Sequence, residues 1–172
     1  MTIILGIIFI LGMFMDAIGM LLFESTLNLL IPSGSGQAAK ICNNMICGIS
    51  MIATCETIAL ADKLGLDRQK LFDVVSTSSG YSWSMNAYCP APGVGPDSPA
   101  DHQYRPGFAA ELMLKDLGLP RQAAESANAV IPMGRAATAL YEKFVEQEGG
   151  AGKDFSSAFT PIPPGCAPGA VR

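Results

Sequence analysis

The sequence predicts an all-α fold, and three observations predict it. Residues 37–64 place Ile41, Met45, Ile46, Ile49, Ile52, Ile58 and Leu60 at helical spacing, with apolar side chains on almost every face. Helix punctuation recurs: Gly65 follows that run, Asp67 stands before the next and Pro132 opens a later one. No strand-like alternation of any length occurs. The 172 residues are one ordinary domain's length, enough to enclose a sizeable core.

Residues 3–23, IILGIIFILGMFMDAIGMLLF, are about as long as a membrane span requires and are interrupted by Asp16. A basic n-region is missing, so the run does not read as a signal peptide. Its GMFMDAIGMLL stretch weakly resembles a segment of the large permease subunit of tripartite dicarboxylate transporters. Pro32-Ser33-Gly34-Ser35-Gly36 then marks a boundary, with Ser33 or Ser35 as a cap. The helix 37–64 that follows is apolar all round and is expected to be buried, with Gly65 as its C-cap. Asp67 is the N-cap of the next helix, which holds Lys70 to Val75 and breaks at Ser76 to Gly80. Residues 81–107 read as a long ordered loop, too aromatic with Trp83 and Tyr88 to be a plain linker. A helix is expected over 108–118, ending near Gly118, then one from Arg121 to about Ala129 and one from Pro132 to Glu148. Asp154 starts one more turn, and the Pro/Gly-rich tail is expected to be disordered. The organisation is therefore 1–31, an apolar membrane-type segment; 32–159, the helical domain; and 160–172, the tail.

Charge excludes some partners. A net charge of −4, from 11 basic and 15 acidic residues without any Lys/Arg cluster, argues against nucleic acid. The five cysteines form no CxxC pair and no His lies at ligand spacing, so no metal site is expected and the thiols read as reduced and structural.

The chemistry concentrates in Gly34-Ser-Gly36-Gln-Ala-Ala-Lys40-Ile-Cys-Asn-Asn44. Gly34-x-Gly36-x-x-Ala39 satisfies a dinucleotide fingerprint as a string only. That fingerprint needs a preceding strand and a βαβ unit, and here a Pro-Ser pair precedes it and a long helix follows. Lys40 and Asn44 are spaced i, i+4 and so share a helix face. Near the start of an apolar helix, desolvation and the positive end of the helix dipole would both disfavour a charged Lys40, which suits a general acid or base. The competing reading is a lysine that snorkels to solvent from a helix end. Gly36 lets the backbone come close to a ligand at the helix start.

The pattern GxGxxxKxxxN resembles the catalytic signature of the β-hydroxyacid dehydrogenase family, and GSGQAAKICNNM resembles its 3-hydroxyisobutyrate dehydrogenase branch. Further matches follow in order. They are Ser78-Ser79-Gly80 with Trp83; Tyr88-Cys-Pro-Ala-Pro-Gly93, where Cys89 replaces an asparagine; Gly107-Phe108 with Leu112 to Leu119; and Lys153-Asp154-Phe155-Ser156-Ser157. The resemblance runs from about Pro32 to Phe159. It implies a helical C-terminal domain of the 6-phosphogluconate-dehydrogenase-like type, built on a long buried helix and without the Rossmann domain. It also implies roles. Lys40 is the catalytic acid/base; Asn44, Gly36 and Trp83 bind substrate; Lys115, Phe108 and Asp116 face the cofactor; Lys153 and Asp154 form part of the cofactor-facing rim. The implied cofactor is NAD by branch default, with NADP open because the choice is made in the other domain. The implied reaction is oxidation of 3-hydroxyisobutyrate, a step of valine breakdown, although related tartronate, glyoxylate and succinic semialdehyde reductases share the Lys–Asn pair.

The dinucleotide-binding domain of that family does not occur in these residues. The chain therefore reads as a truncation, a gene fragment or a join, expected to be inactive alone. A small hydroxy acid and a second copy of the chain are the expected partners, in the cytoplasm or a mitochondrial matrix. The competing readings are a helical module tethered to a membrane through residues 3–23 and a purely oligomerising module without catalysis.

Overall fold

The computed structural model describes residues 35–158. The apolar segment 1–31 and the tail 160–172 lie outside the described residues. The chain divides into two units, Met1–Lys40 and Ile41–Arg172. Of the first, only the opening of helix α1 (Ser35–Lys63) is described.

The second unit is helical, and its helices are amphipathic on one side each. Met51, Ile52 and Cys55 of α1 are 0–7% exposed. They pack with Ala110, Met113 and Leu117 of α4 (Ala110–Ala127) and with Ala137, Tyr141 and Phe144 of α5 (Pro132–Gln147). The i, i+3, i+4 spacing within each set is what lets three helices share one core, and each large side chain so buried contributes about 1.5–3 kcal/mol. Phe155 and Ala158, in and after a 3₁₀ turn at Phe155–Ser157, close this core. A smaller cluster joins Ile58 of α1 to Met85, Cys89, Ala91 and Val94, with Leu71, Phe72 and Val75 of α2 (Arg68–Val75) against it.

Local signals explain most boundaries. α1 ends where Gly65 adopts φ +72° and the Leu66 amide donates back to the Ala61 carbonyl at 2.9 Å, a glycine-terminated C-cap. Asp67 caps α2 by accepting from the Lys70 amide at 3.0 Å. The segment 81–107 is ordered by α3 (Trp83–Asn86), capped by Ser82, and by a 3₁₀ turn at Pro99–His102 with a Ser98/Asp101 capping box. Among the described residues no strand forms; Ala109 and Asp154 make an isolated antiparallel bridge.

Two expectations need correction. The helices expected over 108–118 and 121–129 are one helix, α4, which runs through Gly118 and Pro120. Pro120 has no amide to offer the Asp116 carbonyl, a defect worth about 3 kcal/mol in an isolated helix. Tertiary packing overrides it: Met113, Leu117, Pro120 and Ala124 are all buried along one stripe, and the Thr138 hydroxyl of α5 donates to the Leu117 carbonyl at 3.3 Å. The second correction concerns α1, which is covered on one side rather than enclosed: Ile46 and Leu60 are 63% and 59% exposed. α1 is also long and apolar enough to cross a membrane by length and composition. Its fully buried Met51 and Cys55 show it packing as a core helix here.

Candidate functional site

α1 and α4 meet through Asn44 and Asp116, separated by 72 residues in sequence. The Asn44 amide nitrogen donates to the Asp116 carboxylate at 2.8 Å. Gly48, one turn beyond Asn44, makes this approach feasible. A Cβ there would stand 3.0 and 3.2 Å from the Leu117 methyls and 3.2 Å from the Met113 sulfur. With hydrogen in place of a methyl, α1 settles close enough for Asn44 to reach the residue next to Leu117.

Beside this contact lies an open groove of about 640 Å³, walled by Asn43, Ile46, Cys47 and Ser50 of α1 and by Tyr81 to Ser84. Trp83 stands on its edge, half exposed, and stacks on Tyr88 with ring centroids 4.8 Å apart and planes 22° apart. The Tyr88 hydroxyl donates to Asp154 at 2.9 Å, and its ring tilts against Phe155. Burial first, then the Asp154 charge and hydrogen bond, push the Tyr88 phenol well above its ordinary 10.0. Desolvation likewise raises the Cys47 thiol in the groove wall. The Ser84 hydroxyl is buried and has no hydrogen-bond partner among the described residues.

The structure sorts the expected residues as follows. Lys40 and Gly36 lie near the start of α1; Lys40 is exposed, so the described residues do not supply the desolvation expected of it. Asn44 and Asp116 are brought together, so the Asp116 carboxylate is tied to α1. Lys115 is exposed. Phe108 is half-buried, edge-on to Phe155 at 5.7 Å, and its amide donates to Asp154. Asp154 does not belong to an exposed rim: it is 0% exposed and receives donors from four residues. Lys153 is exposed, and its carbonyl accepts from the Ala110 amide. Cys89 is 1% exposed among apolar neighbours, so the substitution that sets this loop apart places a small apolar group in a core. Of the three cysteines in α1, Cys42 is exposed, Cys47 half-buried and Cys55 buried, all free thiols. The Tyr88–Asp154 link was missed by sequence reasoning. Its available signal was Asp154 ahead of Ser156, a cap spacing that announces an occupied carboxylate.

The family described as NAD-binding of NADP-dependent 3-hydroxyisobutyrate dehydrogenase matches residues 34–162. A probable 3-hydroxyisobutyrate dehydrogenase of Mycobacterium tuberculosis is 45% identical over 125 residues, which cover 73% of this chain and 42% of the relative. An NAD-dependent L-serine dehydrogenase of Pseudomonas aeruginosa is 43% identical with the same coverage. A solved structure of the Mycobacterium tuberculosis 3-hydroxyisobutyrate dehydrogenase with L-serine superposes with a TM-score of 0.70 at 44% identity, over 73% of this chain and 43% of that one. The chain thus spans less than half the length of these relatives.

Proposed function

Because the chain belongs to the 3-hydroxyisobutyrate dehydrogenase family, matching its NAD-binding helical part, we propose that it supplies the helical half of the site of an NAD-dependent 3-hydroxyacid dehydrogenase. The proposed substrate is 3-hydroxyisobutyrate, oxidised to methylmalonate semialdehyde. The observation that carries this reading is the Asn44–Asp116 hydrogen bond, which couples two motif-bearing helices across 72 residues.

The residues present fit a nicotinamide dinucleotide in kind. Lys115 offers an exposed cation, Trp83 a half-exposed ring, and Ser84 an unpartnered hydroxyl in the groove wall. Lys115 and Phe108 are the residues proposed to hold that group, which supplies the hydride acceptor when bound. The chain's own work is proton transfer and orientation. Lys40 takes the hydroxyl proton as the carbonyl forms. Asn44 commits one amide hydrogen to Asp116, and its Oδ1 accepts from the Asn43 side-chain amide at 3.4 Å, leaving its second amide hydrogen and one lone pair of that oxygen to hold the substrate. Asp116 fixes the Asn44 rotamer, so those groups are aimed before the substrate arrives. Gly36 keeps the helix entry unobstructed.

A homo-oligomer is part of the proposal, because Ile46, Leu60 and Leu64 leave apolar surface 63%, 59% and 74% exposed. The proposed setting is the bacterial cytoplasm or, in a eukaryote, the mitochondrial matrix.

The test is a fluorescence titration of the 172-residue chain with NADH, with and without a separately expressed dinucleotide-binding domain from a relative. Binding and turnover are expected only with the added domain, and Lys40→Ala should abolish turnover while sparing binding. No response in either arm would sink the reading.

A further inference from the structure

We propose that Asp154 is a positioning residue. Through Tyr88 its buried carboxylate sets where Trp83 stands beside the groove, and through two backbone amides it sets where Phe108 stands. The inference deepens the reading above, in which Trp83 and Phe108 meet ligand, and so rests on it; its geometry stands alone.

Asp154 is 0% exposed, and both its oxygens are engaged. Oδ1 accepts from the Ser156 amide at 2.9 Å and the Ser156 hydroxyl at 2.6 Å, the local bonds that start the last 3₁₀ turn. Oδ2 accepts from the Tyr88 hydroxyl and from the amides of Gly107 and Phe108, each at 2.9 Å. So saturated and sealed a group has nothing left to offer a substrate, which argues against direct catalysis. Yet capping the turn needs Oδ1 alone. Oδ2 instead reaches 66, 47 and 46 residues back, to the segments that carry Trp83 and Phe108.

Tyr88 is the link to the groove. Its hydroxyl is held by Asp154, and its ring carries Trp83 in a stack at 4.8 Å. Gly107 keeps the hydroxyl's place open, because a Cβ there would stand 2.7 Å from the Tyr88 oxygen. The raised phenol stays protonated, so the donor persists through the neutral range. Trp83 is half exposed and has no other aromatic partner among the described residues. Its stance therefore depends on the Tyr88 ring, and that ring on Asp154.

Trp83 is the sole tryptophan of the chain, so acrylamide quenching of its emission reads this edge alone. Tyr88→Phe is expected to raise the quenching constant about twofold as the stack loosens. Asp154→Asn should do the same, and the double variant no more than either. An Asp154→Asn chain that folds with wild-type quenching overturns the proposal, as do additive effects in the double variant. If Asp154→Asn does not fold, Tyr88→Phe decides alone, and unchanged quenching there overturns it. Ser156→Ala, which loosens only Oδ1, should lower stability and leave the quenching unmoved; a rise equal to that of Tyr88→Phe would mean general loosening and defeat the proposal. Titrating NADH and 3-hydroxyisobutyrate into the same samples, each supplemented with the separately expressed dinucleotide-binding domain in a form that carries no tryptophan, separates the two readings. If Trp83 ignores both ligands while the quenching pattern holds, the ligand reading fails and the role of Asp154 stands.

Discussion

Asp154 and Asp116 both end long-range hydrogen bonds, and the fold treats them differently. Asp154 is fully buried, with donors on both oxygens. Asp116, half-buried on α4, receives the Asn44 amide and keeps part of its surface open. A buried carboxylate is tolerable only when fully satisfied, and once satisfied it organises whatever supplies the donors. A partly open carboxylate with one strong partner costs little to maintain and leaves that partner's remaining groups usable. The first arrangement builds a scaffold; the second aims a side chain.

The contrast breaks most visibly at Asp154→Ala. Truncation would leave the Tyr88 hydroxyl, two amides and both Ser156 donors without their acceptor, the Ser156 donors in a buried setting. Removing a buried, multiply bonded charge of this kind costs about 4 kcal/mol or more, a large share of a small domain's stability. Urea unfolding followed by circular dichroism should show either a collapse of the midpoint or no cooperative transition. A loss under about 1 kcal/mol would mean that these bonds are not jointly formed.

Alkaline pH tests the same region by another route. Burial raises the thiols of Cys47, Cys55 and Cys89 above their ordinary 9.0 and the phenols of Tyr88 and Tyr141 above 10.0. The folded chain thus holds these protons more tightly than the unfolded chain does. Their contribution is complete below pH 9 and is lost as pH rises past 9 for the thiols and past 10 for the phenols, towards the raised folded values. Thermal melts should be flat from pH 7 to 8.5 and fall steeply from about 9.5, with Tyr88→Phe reducing the slope above pH 10. A flat profile to pH 11 would contradict the burial of these groups.

Sequence reasoning reached what is local. The Asp67 cap, the Gly65 terminus, the start of α5 at Pro132 and the turn after Asp154 are each decided within a few residues, and each was legible. The continuity of α4 was not, because Gly118 and Pro120 state a local preference for a break that only packing of Leu117 and Pro120 overrules. The motif residues were identifiable one by one, but their partners were not. Nothing in the spacing of Asn44 or Tyr88 indicates that acceptors lie 72 and 66 residues away. The apolar pattern of α1 likewise predicted burial without saying against what, and Ile46 and Leu60 remain exposed in the single chain.

Gly48→Ala should give an intermediate effect. The added methyl meets the end of Leu117 at 3.0 Å, and Leu117 is 1% exposed, with little room to retreat. Overpacking of this degree costs about 1–3 kcal/mol. Because α1 must move away from α4 to relieve it, the Asn44–Asp116 bond should lengthen as well, which the Asn44 side-chain amide resonances would report. A stability change with those resonances unmoved would mean that Leu117 yields instead of the helix.

The smallest effect on stability belongs to Asp116→Asn, and it separates the two carboxylates most sharply. The amide oxygen of an asparagine can still accept from Asn44, so the α1–α4 contact survives with a neutral acceptor in place of a charged one. The charge-assisted part of such a bond is worth about 1 kcal/mol or less net at a half-open site. Urea midpoints should therefore move little, far less than for any change at Asp154. The aim of Asn44 should suffer more than the fold does. Asp116→Asn should bind 3-hydroxyisobutyrate more weakly in the reconstituted assay, with NADH affinity unchanged. Asp116→Leu, which leaves the Asn44 amide without its acceptor, should weaken substrate binding further. If Asp116→Asn instead destabilises the chain as much as Asp154→Ala does, Asp116 is a second scaffold carboxylate and the division between the two regions disappears.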